Sequence, residues 1–148
     1  MRFPYKNISL PSPAIALGGR WTRPRPILHV TIVGPTGSRL QEGLLDTGAD
    51  DTVFPQSLAV FLGVDLTDAP VGQAASANLT KASLRYAQVS LRITDGVERR
   101  EWRAWVAFSP TIPRPLLGFA GFLQFFTATF HGDREQVELT VNSLYPGT

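Results

Sequence analysis

Prolines and glycines interrupt this chain so often that long helices are excluded and short strands are favoured. There are twelve prolines and thirteen glycines among 148 residues. Proline removes a backbone donor and disrupts helix interiors, and glycine favours turns. Between them no apolar pattern of helical period runs long. The sequence therefore predicts an all-β fold, and 43% hydrophobic residues at this length are enough for one domain with a sizeable core.

Three pairs of apolar segments separated by turn residues predict three β-hairpins. The paired segments are 27–33 with 39–45, 84–93 with 102–108, and 125–130 with 136–141. In the second hairpin, one face of the first strand carries Ala87, Val89, Leu91 and Ile93. A short helix is predicted from Pro55 to Gly63, because proline suits a first helical turn and glycine suits the end.

The first 26 residues differ from the rest in composition. They contain five prolines: Pro4, Pro11, Pro13, Pro24 and Pro26. Such a segment is predicted to be an extended arm on the surface, with Trp21 as its anchor. We therefore divide the chain into a proline-rich N-terminal arm, residues 1–26, and one domain, residues 27–148.

The stretch from Leu44 to Val53 holds the residues best suited to chemistry. Three carboxylates, a hydroxyl and a glycine follow an apolar pair. Asp46 falls where the preceding strand ends, and Gly48 permits a turn and the close approach of a ligand. Thr47 can hydrogen-bond the backbone or a neighbouring loop. A simpler interpretation is an Asx-type turn with Asp46 and Asp50 exposed, and the residues alone leave both interpretations open.

The same ten residues resemble, without a gap, the active-site loop of the retropepsins, the retroviral-type aspartic proteases. A second signature of that family is two apolar residues and a glycine that open a short helix, and residues 116–123 fit it. The resemblance covers residues 27–141. It implies an all-β fold, a retropepsin-like closed β-barrel that forms half of an acid protease, with a flap hairpin and one or two short helices. The helix after Pro55 is more typical of cellular and bacterial members than of viral ones.

This resemblance implies an aspartic endopeptidase with Asp46, Thr47 and Gly48 as its catalytic triplet. The chemistry needs two carboxylates that share one proton around an activated water. The chain contains a single Asp-Thr-Gly. We therefore expect a C2 homodimer as part of the mechanism, with Thr47 hydrogen-bonded across the two-fold axis. Its interface is expected to include residues 125–130 or the N-terminal arm.

The resemblance also implies a set of residues that contact a protein or peptide substrate. Gly48 would offer its carbonyl, and Ala49 would line the pocket beside it. Asp50 and Asp51 would hydrogen-bond the substrate main chain or brace the loop. The alternative for both carboxylates is a solvated turn.

Residues 72–79 match the position of the family's flap, the hairpin that closes over substrate. Viral flaps are glycine-rich at the tip, whereas this segment has small side chains there. The residues at the tip are Ala74, Ala75, Ser76, Ala77 and Asn78. The resemblance implies that the last four of them, Ala75, Ser76, Ala77 and Asn78, contact the substrate. This difference leaves an ordinary surface hairpin as the alternative.

One position departs from the viral pattern. Many viral members carry an arginine directly after the glycine of the second signature, and this arginine pairs with the carboxylate that matches Asp50. Here the residue is Phe119. Because an unpaired, partly buried carboxylate is costly, we expect Arg25 or Arg23 to brace Asp50, from the same chain or from the other subunit. Backbone N–H groups, or simple exposure to water, are the alternatives.

Composition argues against several other classes of function. Fourteen basic and twelve acidic residues give a net charge of only +2, without a basic run interleaved with aromatics, so we expect no nucleic-acid partner. Without cysteine there is neither a disulfide nor a thiolate metal site. His29 and His131 lack the spacing of metal ligands, so no metal is expected. The resemblance implies no cofactor.

No apolar segment reaches the length of a membrane span, and the N-terminus lacks a convincing signal core. The expectation is a cytoplasmic protein that does not bind membranes.

A second function remains open from the sequence. The chain could be a non-enzymatic peptide-binding module that retains the retropepsin fold without cleaving. The intact Asp46-Thr47-Gly48 favours the enzyme, because a protein that no longer cleaves does not need that aspartate.

Overall fold

The computed structural model describes residues 1–75 and 81–148, which form twelve strands, one α-helix and two single-turn 3-10 helices. The strands are β1 Arg2–Pro4, β2 Lys6–Ala14, β3 Arg20–Arg25, β4 Ile27–Gly34, β5 Gly37–Leu45, β6 Val53–Pro55, β7 Val71–Ala75, β8 Lys81–Thr94, β9 Arg99–Ser109, β10 Leu116–Leu117, β11 Phe126–His131 and β12 Gln136–Val141. The α-helix, α1, is Ser57–Leu62, and the 3-10 helices are Ile15–Leu17 and Leu123–Phe125.

A closed barrel of six strands forms the centre of the molecule. Its strands follow the order β4-β5-β10-β6-β9-β8, and a further pairing of β4 with β8 closes the ring. β7 pairs with β8 and extends the sheet beyond the barrel. The predicted all-β fold with a closed barrel and few helices is confirmed. The three predicted hairpins are present as β4–β5, β8–β9 and β11–β12.

The core is built by strand alternation and closed by aromatic rings. Val89, Leu91 and Ile93 on β8 are buried, while Ala87 on the same face is partly exposed. Trp102 on β9 is 2% exposed and donates its indole N–H to the Gly121 carbonyl (3.0 Å). Four further rings contact it: Phe122, Phe125, Phe126 and Tyr145. This cluster attaches the C-terminal segment to the barrel.

The helices follow the sequence in part. α1 lies inside the predicted range, and Gly63 ends it with a positive φ of 67°. The helix expected after Gly118 is only the 3-10 turn Leu123–Phe125. Phe119 and Ala120 make backbone bonds to the loop after β5, and Gly121 has a φ of 88°, so a regular helix does not begin there.

The N-terminal 26 residues are extended, but they make two different structures. β1 pairs with β12, and Phe3 is buried in the core. β2 and β3 pair only with each other, among the described residues, and form a two-stranded hairpin. We call this hairpin, residues 6–25, the hairpin arm.

Within the described ranges, 1–75 and 81–148, the structure contains no helix with the length and hydropathy needed to cross a bilayer.

Candidate active site

Asp46 stands at the end of β5 and faces away from the core. Leu45, the last residue of β5, is buried, and its N–H donates to the Pro26 carbonyl (2.9 Å). Because side chains alternate along a strand, Leu44 and Asp46 lie on the opposite, outer face. The Asp46 N–H donates to the Leu117 carbonyl (3.2 Å), so the sheet holds the backbone of this residue. Its carboxylate is partly exposed and free to meet a ligand.

A tight turn fixes the orientation of this carboxylate. The Gly48 N–H donates to Asp46 Oδ1 (2.9 Å), and the Ala49 N–H donates to the Asp46 carbonyl (3.2 Å). A Cβ at position 48 would lie 3.2 Å from Oδ1, which is tighter than an ordinary contact. The geometry is that of an Asx-type turn, as the simpler interpretation anticipated. A carboxylate held by a backbone N–H is also well oriented for catalysis, so the turn is compatible with both interpretations.

The two sequence signatures meet in space through their backbones. The N–H groups of Phe119 and Ala120 donate to the carbonyls of Ala49 (2.9 Å) and Asp50 (2.8 Å). The Thr52 N–H donates back to the Ala120 carbonyl (2.9 Å). A Cβ on Gly118 would lie 2.2 Å from the Asp51 carbonyl oxygen, so only glycine fits between these segments. The second signature therefore acts as a clamp on the loop that carries Asp46.

Tyr86 braces the far end of the same loop. Its hydroxyl donates to Asp51 Oδ2 (2.8 Å), and its ring covers Gly72 on β7, where a Cβ would lie 2.7 Å from Cε2. Burial, and then the bond to Asp51, raise the pKa of Tyr86 to about 12, so the hydroxyl remains a donor throughout the ordinary pH range. No sequence motif marks Tyr86, since only the pairing of β6, β9 and β8 brings it beside residue 51.

With this geometry in place, comparison with known families is informative. A family model described as aspartyl protease matches residues 29–120, which is more than half of the chain. The chain belongs to the retropepsin-like aspartyl protease family. The matched range runs from β4 to Ala120 and so includes both the Asp46 loop and the Gly118 clamp. No curated protein matches the chain.

Asp50 matches the carboxylate that the viral pattern pairs with an arginine. In the single chain Asp50 is exposed. Among the side chains that the structure describes, in residues 1–73 and 83–148, no arginine or lysine forms an ion pair with it. The expected contact from Arg25 or Arg23 is therefore not made within one chain. Phe119, in the place of the viral arginine, is also exposed. A contact from the other subunit stays a prediction.

The remaining predicted site residues fall at or near the same face. Thr47 and Gly48 are exposed and Ala49 is partly buried. The predicted flap begins as β7, which pairs with β8 as far as Ala75 opposite Lys81. The tip residues Ser76, Ala77 and Asn78 lie outside the described residues.

A cleft of about 320 Å³ opens beside the Asp46 loop of this aspartyl protease family member. Leu44 and Leu116 are paired neighbours on adjacent parallel strands, and they share the outer face with Asp46. The lining combines apolar side chains with two guanidinium groups: Arg25, Leu44, Ile112, Pro113, Arg114 and Leu116. Such a surface can take an apolar side chain and a neighbouring acidic or carbonyl group.

The histidines lie apart from this site. His29 Nε2 is 3.5 Å from Glu42, and His131 Nε2 is 2.9 Å from Glu138 on β12. In the described part of the chain, no three side chains of the metal-binding types come together.

Proposed function

We propose that this protein is an aspartic endopeptidase that cleaves protein or peptide substrates as a homodimer. The observation that carries the proposal is the presentation of Asp46. A strand end places it, the Gly48 N–H orients its carboxylate, and the Gly118 clamp fixes the loop. Membership of the aspartyl protease family supports the same chemistry.

Two copies of Asp46 are needed because one chain supplies one such loop. Two carboxylates a few ångströms apart cannot both ionise easily, so the pair holds a single proton. The ionised carboxylate removes a proton from a bound water, whose oxygen attacks the peptide carbonyl carbon. The protonated carboxylate donates its proton to the carbonyl oxygen. The resulting intermediate then breaks its C–N bond as the nitrogen receives a proton from the dyad, which releases an acid and an amine.

The face around Asp46 suits an extended peptide. The exposed Gly48 offers its carbonyl next to the carboxylate, and Asp50 remains open to solvent. The adjoining cleft has room for a side chain next to the cleaved bond. The β7–β8 hairpin adjoins the loop through Tyr86 and would cover the peptide from the other side.

The first experiment replaces the catalytic carboxylate. We expect Asp46→Asn to abolish peptide cleavage by the purified protein and to leave its far-UV circular dichroism and its association state unchanged. Asp65→Asn is the matched control, because Asp65 also accepts a bond from the N–H two residues later (2.9 Å) in a loop away from the site. Cleavage by the Asp46→Asn protein above trace level would overturn the aspartic mechanism.

The pH profile tests the shared proton. The active dyad carries one proton, so kcat/KM falls at low pH, when both carboxylates are protonated, and at high pH, when both are ionised. We expect a bell with its maximum below neutrality, measured with a fluorogenic peptide library. A rate that continues to rise into the alkaline range would indicate a different base. Peptides that bind without being cleaved at any pH would support the non-enzymatic binding module instead.

A further inference from the structure

The hairpin arm is the part of the molecule that is least covered by its own chain. β2 and β3 form a separate two-stranded sheet, and Ala14 is the only one of their residues that is fully buried. Near the turn, Ile15 is 94% exposed and Trp21 is 61% exposed. Trp21 lies opposite the irregular stretch between Ser9 and Ala14, where the strand register shifts. Two large apolar side chains are thus left in solvent.

Such a hairpin is not stable by itself. An isolated two-stranded hairpin is at best marginally stable in water, because it has no sheet face to bury. The described contacts between the arm and the rest of its own chain include two exposed ion pairs, Lys6 with Glu42 on β5 and Arg20 with Glu135 in the β11–β12 turn. Exposed pairs of this kind contribute little to stability. We therefore expect another surface to cover the exposed apolar residues of the arm.

The root of the arm indicates where that surface lies. β3 ends at Arg25, and the next residue, Pro26, accepts a hydrogen bond from the Leu45 N–H (2.9 Å). The arm thus leaves the barrel directly beside Asp46. The proposed mechanism brings the second Asp46 within a few ångströms of the first. In the proposed dimer, a second copy of the chain would therefore occupy the space next to the root.

The charges of the arm also indicate that a second copy of the chain covers it. The arm carries four cationic side chains and no carboxylate: Lys6, Arg20, Arg23 and Arg25. Lys6 and Arg20 pair with Glu42 and Glu135 of the same chain, which leaves Arg23 and Arg25 for another surface. The rest of the chain has ten basic and twelve acidic residues, and three of the acidic ones, Asp46, Asp50 and Asp51, lie on the loop at the root of the arm. A basic arm and an acidic face on every copy are complementary between two copies related by a two-fold axis.

We propose that the hairpin arm lies across the second copy in the active dimer, with Trp21 as its anchor and with Arg23 and Arg25 near the partner's acidic face. Packing of side chains is favoured over addition of a strand, because Pro11, Pro13 and Pro24 offer no N–H to another strand. The inference rests on the proposed homodimeric protease and adds the surface that assembles it.

Sedimentation equilibrium of the full chain tests the anchor. We expect Trp21→Ser to raise the dimer dissociation constant by about tenfold or more, since buried tryptophans are typical interface hot spots. Trp105→Ser is the matched control, because Trp105 is 53% exposed on the barrel strand β9. It should leave the dissociation constant within about twofold. Circular dichroism should show the same folded barrel in both variants.

Two further experiments test the charge of the arm and its position in the dimer. Arg23→Glu should weaken the dimer and reduce its sensitivity to salt, since an attraction across the interface becomes a repulsion. Because the chain has no cysteine, Ser12→Cys allows a single photo-crosslinker on the arm. Mass spectrometry of mixed light and heavy isotope copies should then find crosslinks between copies.

The outcomes separate this inference from the proposed function. If the Trp21→Ser and Arg23→Glu proteins dimerise like the wild type and the arm crosslinks only within its own chain, the arm has no role in assembly, although an active dimer leaves the protease intact. If the chain stays monomeric at all concentrations, the arm proposal is wrong. A monomer that still cleaves would also overturn the dimeric mechanism.

Discussion

The barrel buries a tryptophan, whereas the hairpin arm leaves a tryptophan exposed. Trp102 on the barrel is 2% exposed, contacts four aromatic rings and satisfies its indole N–H within the chain. Trp21 on the arm is mostly exposed. The barrel buries its apolar residues within one chain, whereas the arm leaves them for another surface. Changes in the barrel should therefore affect the stability of the single chain, and changes in the arm should affect association.

The largest expected effect is on the barrel tryptophan. Trp102→Ala removes the centre of the aromatic cluster and leaves a cavity, and it should lower the free energy of unfolding by about 3–5 kcal/mol. Trp21→Ala, measured in dilute solution, should change it by less than about 0.5 kcal/mol. Urea denaturation of both proteins followed by circular dichroism checks the contrast. Equal losses would show that the arm packs on its own barrel after all.

A smaller but still large effect is expected at the clamp. Gly118→Ala places a Cβ 2.2 Å from the Asp51 carbonyl oxygen, so the backbone must shift and cleavage should be lost. Such overpacking typically costs about 1–3 kcal/mol of stability. Gly132→Ala is the control, because its Cβ would meet nothing within 4 Å. Thermal unfolding and peptide cleavage measure the two effects, and a fully active Gly118→Ala protein would contradict the clamp.

A more modest effect is expected where Tyr86 links the β7–β8 hairpin to the Asp46 loop. Tyr86→Phe removes the donor to Asp51 and should cost about 1 kcal/mol of stability. Because Asp51 is predicted to contact the substrate and is not in the proposed dyad, KM should rise while kcat changes little. Tyr145→Phe removes a hydroxyl that bonds to Glu101 (3.0 Å), far along the chain from the loop, and should leave KM unchanged. Equal KM changes in both variants would show that Tyr86 only stabilises the fold.

The smallest effect on the stability of the single chain is expected at the root of the arm. Arg25 is exposed and forms no ion pair within the described residues, so Arg25→Ala should change the unfolding free energy by less than about 0.5 kcal/mol. If Arg25 braces Asp50 of the other copy, the same variant should weaken dimerisation by several-fold. Sedimentation equilibrium compares the two, and an unchanged dimer would exclude the brace.

Much of the fold was predictable, because its signals are local. Turn residues and alternation predicted the β4–β5, β8–β9 and β11–β12 hairpins, and Gly63 predicted the end of α1. Pro55 did not predict its start, because Pro55 is the last residue of β6 and the helix begins at Ser57. The helix expected after Gly118 was predicted less well. There the backbone N–H groups bond to the Asp46 loop instead of forming a helical turn, which no periodicity in the segment reveals.

The sequence by itself determined the Asp46 turn, since Asp46, Gly48 and the preceding apolar strand act within a few residues of one another. Only the tertiary structure decided that Tyr86 meets Asp51, a pair separated by 35 positions. It also decided that β1 pairs with β12 in a three-stranded sheet while β2 and β3 pair with each other in the hairpin arm. The physical reason is that turns and alternation depend on neighbouring residues, whereas such contacts depend on how the strands pair around the closed barrel.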